Sequence, residues 1–200
     1  MKKWWLFLWL GILLTGISYL FWQQEWKYSL PTPIPKNYHA VKHGDVVTFP
    51  NSFRVKNNKP LLIHFFNPNC PCSKFNIPHF KSLVKAYSSK MNFAIVVLNS
   101  SNEYSVEDIQ SKFDLVIPVS FDTSIAVICG VYSTPQAAIF DRDNKLYYRG
   151  NYNKSRYCTD KQSNFAQMAI DSLLNHHDNP NFSIAAIKSY GCELPKCCKK

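Results

Sequence analysis

Internal repeats, low-complexity tracts and long runs of like charge are all missing from this 200-residue chain. Their absence sets aside a repeat array, and the length leaves room for one ordinary domain with appendages. Acidic residues are scarce, 13 Asp and Glu against 23 Lys and Arg, for a formal net charge of +10. The basic residues are scattered apart from Lys196, Lys199 and Lys200, and no nucleic-acid motif accompanies them. They read as a solvated surface facing anionic lipid headgroups, and no nucleic-acid partner is expected.

Charge is absent altogether from Trp4 to Trp22. A helix of that length spans roughly 28 Å, close to the hydrocarbon thickness of a bilayer. Trp4 and Trp5 at one end, and Trp22 and Trp26 at the other, suit the two interfaces. A cleaved signal peptide is the rival reading, but its apolar core is usually shorter. No Ala-x-Ala site follows, and Gly16-Ile17-Ser18 is a poor substitute. The expectation is an uncleaved single-pass anchor (1–26) in the inner, cytoplasmic membrane, touching lipid through residues 4–22. Lys2 and Lys3 hold the N-terminus in the cytoplasm and place the rest in the periplasm. Residues 27–42, with Pro31, Pro33 and Pro35, read as a semi-extended linker. A globular domain over 43–177 and a Cys-rich tail over 178–200 complete the expected organisation.

Seven cysteines lie outside the apolar segment: Cys70, Cys72, Cys129, Cys158, Cys192, Cys197 and Cys198. In an oxidising compartment several should pair, and an odd number leaves at least one free or bonded to another molecule. The richest segment is Leu61-Leu62-Ile63-His64-Phe65-Phe66-Asn67-Pro68-Asn69-Cys70-Pro71-Cys72-Ser73-Lys74. It reads as a buried strand running into a helix from Ser73 to about Ser88. Cysteines at a strand-to-helix junction meet free N–H groups and the helix dipole, which lower a thiol pKa and favour a reactive thiolate.

Further strands are expected over 93–98, 116–121, 137–140 and 146–149, with Asp141-Arg142-Asp143-Asn144 as a hairpin turn. Helices are expected over 106–113, capped by Ser105, over 123–130, and over 164–176. Alternating strands and helices followed by a hairpin and a last helix give an α/β sandwich with a mixed sheet.

Residues 61–80 resemble the active-site strand and helix of the thioredoxin superfamily. Cys70 falls on the nucleophilic cysteine and Pro78 on the helix-kinking proline. Gly130-Val131-Tyr132-Ser133-Thr134-Pro135, before an apolar strand, resembles the loop with the family's cis-proline. The resemblance covers roughly residues 45–177, and the extra strand and helix over 93–121 are closer to the membrane-tethered, redoxin-like branch. It implies a thioredoxin-like sandwich, a central mixed sheet flanked by helices and preceded by one transmembrane helix. It also implies a cis-Pro135 lying against Cys70, and Thr134 presenting backbone groups to an extended substrate.

The usual Cys-x-x-Cys is here Cys70-Pro71-Cys72-Ser73. Side chains two apart on a helix diverge, so a Cys70–Cys72 bridge needs Cys70 outside the helix, an extended conformation that Pro71 favours. So small a ring should be strained and oxidising. The other routes leave Cys70 in a mixed disulfide resolved by Cys72, by a distant cysteine or by a second substrate thiol. His64 takes the place of the family's buried acidic residue, either as a core histidine or as an acid–base group beneath the cysteines. Asn67 stands where peroxiredoxins place Thr or Ser, which argues against peroxidase activity.

Cys129 reads as a buried packing thiol. Cys158, Cys192, Cys197 and Cys198 are candidates for structural disulfides, with Cys158–Cys192 the leading pair. Metal from Cys192, Cys197 and Cys198 fits no standard spacing. His176 and His177, at a helix end, read as solvated. The expected function is thiol–disulfide oxidoreduction on protein thiols or disulfides through Cys70 and Cys72, with no cofactor. The alternatives are a copper-handling factor for a respiratory enzyme, with His64 or His79 as added ligand, and a redox-inactive scaffold. The absence of histidine between Phe80 and Leu174 weighs against copper.

Overall fold

The run Leu61–Phe66 forms strand β1, and all six residues are buried. A strand covered on both faces needs no polar alternation, so it reads as an unbroken apolar run. The protein is seen in a computed structural model that describes residues 2–53, 58–99, 103–177 and 181–194. On one side β1 pairs in parallel with β2 (Asn92–Val97), which pairs in parallel with β3 (Val119–Ser120). On the other it pairs antiparallel with β5 (Gln136–Phe140), itself antiparallel to β6 (Leu146–Gly150). The sheet order is therefore β3-β2-β1-β5-β6. A short strand β4 (Ser133–Thr134) precedes β5 and stands outside this sheet.

Side-chain alternation along β1 builds two cores. Leu62 and Phe66 join Ile95, Val97 and Ile139 beneath helices α3 (Pro71–Tyr87), α4 (Val106–Phe113) and α6 (Phe165–Leu174). Ile63 and Phe65 join Ala94, Val96 and Ala138 on the opposite face, under α5 (Ser124–Ile128) and the Val47 and Phe53 side chains. This mixed sheet between two helical layers is the thioredoxin-like sandwich.

Local chemistry sets the element ends. Helix α3 starts at Pro71, two residues before the expected Ser73, because Pro71 fits the first helical position and Cys70 caps it in an extended conformation (φ −89°, ψ 122°). Ser105 and Asp108 close a capping box on α4. In the hairpin, Asp141 Oδ1 accepts from the amides of Asp143 and Lys145, at 2.9 and 2.8 Å. The expected strand over 116–121 shrinks to two residues, because only Ile95 and Val96 of β2 pair with it.

Helix α1 (Lys2–Phe21) runs through a π-helical turn (Trp22–Trp26) into the last turn α2 (Lys27–Ser29). Its apolar side chains are exposed, and it is long and apolar enough to cross a membrane. The linker does not stand clear of the domain: Thr32 N donates to Ser189 O at 2.9 Å, and Tyr38 hydroxyl donates to Gly130 O at 3.0 Å. Residues 181–194 also pack on the domain, adding helix α7 (Ile184–Ile187) and strand β7 (Cys192–Glu193). Gly150 admits α7, since a Cβ there would lie 2.1 Å from Ala186 O.

Candidate active site

Three sulfurs meet where β1 hands over to α3. Cys70 and Cys192 form a disulfide (Cα–Cα 6.1 Å), and the sulfurs of Cys70, Cys72 and Cys192 all lie within 4.8 Å of one another. Cys70 and Cys72 are each only 2% exposed, whereas Cys192 is half-buried. Pairing of Cys192 with Cys70 corrects the expected Cys158–Cys192 bridge. Strand β7 carries Cys192 alongside β4, with Thr134 opposite Cys192 and Ser133 opposite Glu193, far enough round the cis-proline loop to reach Cys70. Cys158 is left as a free thiol on the other side, where Asn76 Nδ2 donates to its sulfur at 3.0 Å. Cys197 and Cys198 lie outside the described residues.

The Thr134–Pro135 peptide bond is cis, and the Thr134 carbonyl oxygen is 3.6 Å from Cys70 Sγ. The loop therefore lies against Cys70, and its pairing edge is taken by the chain's own β7. Ser73, at the usual resolving position, is fully buried, and its hydroxyl accepts from Asn67 N at 3.3 Å. It ties the loop before Cys70 to the first turn of α3, which is a structural use of that hydroxyl.

The helix start does not make Cys72 acidic, contrary to the lowered thiol pKa expected at this junction. Burial raises its pKa and outweighs the opposing pull of the Arg156 guanidinium and of a backbone N–H, with Glu25 pushing the same way as burial. Arg156 itself was missed in the sequence. It stacks on Tyr28, Phe75 and Tyr157, pairs with Glu25 at 3.7 Å, and donates to Gln24 O. The aromatic residues around it were legible, but their convergence from α2, α3 and the 151–164 loop was not. A cavity of about 460 Å³ opens beside it, lined among others by Cys72, Asn76, Pro135, Arg156, Cys158 and Tyr190.

Cys158 is raised to about 11, by burial first. Cys129 is fully buried under the second core, and burial raises its pKa steeply, as befits a packing thiol.

His64 is not joined to a sulfur by any hydrogen bond that we observe among the described residues. Its ring stacks on Phe80 at 4.6 Å, and its Nδ1 is 2.8 Å from the Tyr152 hydroxyl. Burial, then the nearby His79, lowers its pKa from 6.5 to about 3, so it is neutral at physiological pH and a weak base. Neither His64 nor His79 belongs to the three-sulfur group, so the donors that the described residues offer a soft metal there are sulfurs. While Cys70 and Cys192 are bonded, Cys72 is the one member of this group among the described residues that offers a thiolate.

A family model described as a domain of unknown function (DUF6436) matches residues 38–194. No curated protein matches the chain. Among solved structures, an uncharacterized conserved protein from Geobacillus kaustophilus superposes with a TM-score of 0.63 at 21% identity, covering 84% of this chain and 100% of that one. A hypothetical protein from Sinorhizobium meliloti gives 0.64 at 18% identity, covering 78% and 96%. The thioredoxin domain of a thiol-disulfide oxidoreductase from Bacteroides vulgatus gives 0.47 at 13% identity, covering 60% and 96%. For the first two, at these identities, the likeness is one of fold.

Proposed function

The chain belongs to the family described as a domain of unknown function (DUF6436), and we propose that it is a membrane-tethered thiol–disulfide oxidoreductase acting on protein thiols outside the cytoplasm. The observation that carries this reading is the Cys70–Cys192 disulfide beside the cis-proline loop, with the Cys72 thiol in reach of both sulfurs. A purely structural bridge has no use for a third sulfur within exchange distance. Here a substrate thiolate attacks Cys70 Sγ, forms a mixed disulfide and expels the partner cysteine as a thiolate. A second substrate thiol then attacks the mixed disulfide, leaving the substrate oxidised and the protein reduced. The reverse sequence reduces a substrate disulfide, and both directions balance without a cofactor. Thr134 and Pro135 shape the edge on which an extended substrate lies, and the apolar N-terminal helix holds the domain at the membrane.

The test is a redox titration of the full chain in detergent, with disulfides mapped by alkylation, beside Cys70→Ser. A reversible two-electron couple that Cys70→Ser abolishes is the expected result. A Cys70 that neither dithiothreitol reduces nor oxidised glutathione re-oxidises in the folded protein overturns it. The three sulfurs favour one second reading, Cu(I) capture by the reduced protein. Tight Cu(I) binding lost in each single Cys→Ser variant, with no reversible couple, would select that reading instead.

A further inference from the structure

The oxidised site poses a problem of access: Cys70 is 2% exposed, and the edge beside it is already paired with β7. We propose that residues 191–194 are a tethered occupant of the substrate edge, and that Cys72 is the nucleophile that releases it. This rests on the oxidoreductase reading above and assigns the regulation of the same site.

The occupant is built for its place. A Cβ on Gly191 would lie 2.3 Å from Thr134 O, and its φ of +132° is open to glycine and strained for other residues, so only glycine lets the arm approach this closely. Cys192 sits opposite Thr134 with its sulfur bonded to Cys70, so the arm has the geometry of a substrate caught as a mixed disulfide. The segment before it is anchored. Tyr190 N donates to Asn151 Oδ1 at 3.3 Å, and Asn151 Nδ2 donates to Lys188 O at 2.6 Å. The linker closes over the other side, bridging through Pro31 to Tyr190. The arm is thus held by its base, by its pairing with β4 and by one reversible covalent bond.

Release needs no outside reagent. The Cys72 thiolate attacks Cys70 Sγ, a Cys70–Cys72 disulfide forms, the Cys70–Cys192 bond breaks, and Cys192 leaves as a thiolate that takes up the proton Cys72 gave up. One disulfide replaces another with no net oxidation. Attack at Cys70 is favoured over attack at Cys192, because the half-buried Cys192 is the better hydrated leaving group. Arg156 supplies positive charge beside the attacking sulfur. The open form carries its disulfide on Cys70 and Cys72, with the Thr134 edge free for a partner.

The test uses the oxidised full chain in detergent with Cys197→Ser and Cys198→Ser, so that those thiols cannot exchange. N-ethylmaleimide labelling is followed with time and mapped by mass, without reductant. The expected result is label on Cys72 in some molecules and on Cys192 in others, never on both, with Cys192 labelling rising with pH. Adding Cys72→Ser should cut Cys192 labelling at least tenfold while Cys158 labelling is unchanged. Equal Cys192 labelling with and without Cys72, no Cys192 labelling in the parent, or label on Cys70 instead, overturns the proposal. A reversible Cys70 couple measured in Cys192→Ser shows separately whether the oxidoreductase reading survives such a failure.

Discussion

His64 shows how burial decides what a residue can do. Its imidazole lies among Phe66, Phe80, Phe113 and Tyr152, and charging it would bury an unpaired cation. With a folded pKa of about 3 against 6.5, the unfolded chain binds a proton in a range where the folded chain does not. Its contribution is therefore intact above pH 6.5 and lost as pH falls towards 3, by about 1.4 kcal/mol per pH unit in the middle of that window. His79, also lowered by burial, acts with the same sign. The unfolding free energy of His64→Phe, from urea titration, should fall less steeply than wild type between pH 6 and pH 4, and at pH 7 should be lower by about 1 kcal/mol for the lost Tyr152 bond. An unchanged slope would mean that His64 is not the acid-sensitive group. Its place on the central strand was legible in the sequence. The closure of aromatic rings around it was not, because Phe113 and Tyr152 arrive from distant elements.

At the scale of elements, β7 pairs with β4 at the cis-proline loop and is joined to the start of α3 by a disulfide that spans 122 residues of sequence. Gly191→Ala places a methyl group on Thr134 O and strains a backbone that other residues avoid. The docked arm should weaken by about 1–3 kcal/mol. Cys192 alkylation after mild reduction should then rise on the order of tenfold, with the thermal midpoint of the domain nearly unchanged, since the arm adds little to either core. Equal Cys192 reactivity in Gly191→Ala and wild type would show that the pairing with β4 does not hold the arm. Regular elements such as α4, whose capping box, charged first turn and apolar spacing agree, were readable from local pattern. A two-residue strand such as β7 carries too few residues to show a period, and its partner alone makes it a strand.

Across the whole molecule, the apolar helix and the domain meet at Arg156, which joins Glu25 and Gln24 to the wall of the sulfur site. The end of the apolar helix thus reaches the sulfur site, because Glu25 and Tyr28 also line the cavity next to Cys72. If the helix spans the inner membrane with Lys2 and Lys3 inside, the protein should stay in the pellet on carbonate extraction. In intact spheroplasts, a membrane-impermeant maleimide should then label its reduced cysteines. Release by carbonate or protection from the reagent would refute that placement.

The strand-to-helix junction at Cys70, the two-faced burial of the central strand, the mixed α/β order and the long apolar helix were all legible from the chain, because each is written in neighbouring residues. Which sulfur Cys70 holds, and whether Cys72 is acidic, emerged from the fold. Disulfide pairing depends on which distant segments are brought within bonding range, and a thiol's pKa depends on the balance between burial and nearby charge. Both are properties of space, fixed here by the return of the arm to the cis-proline loop and by the guanidinium of Arg156.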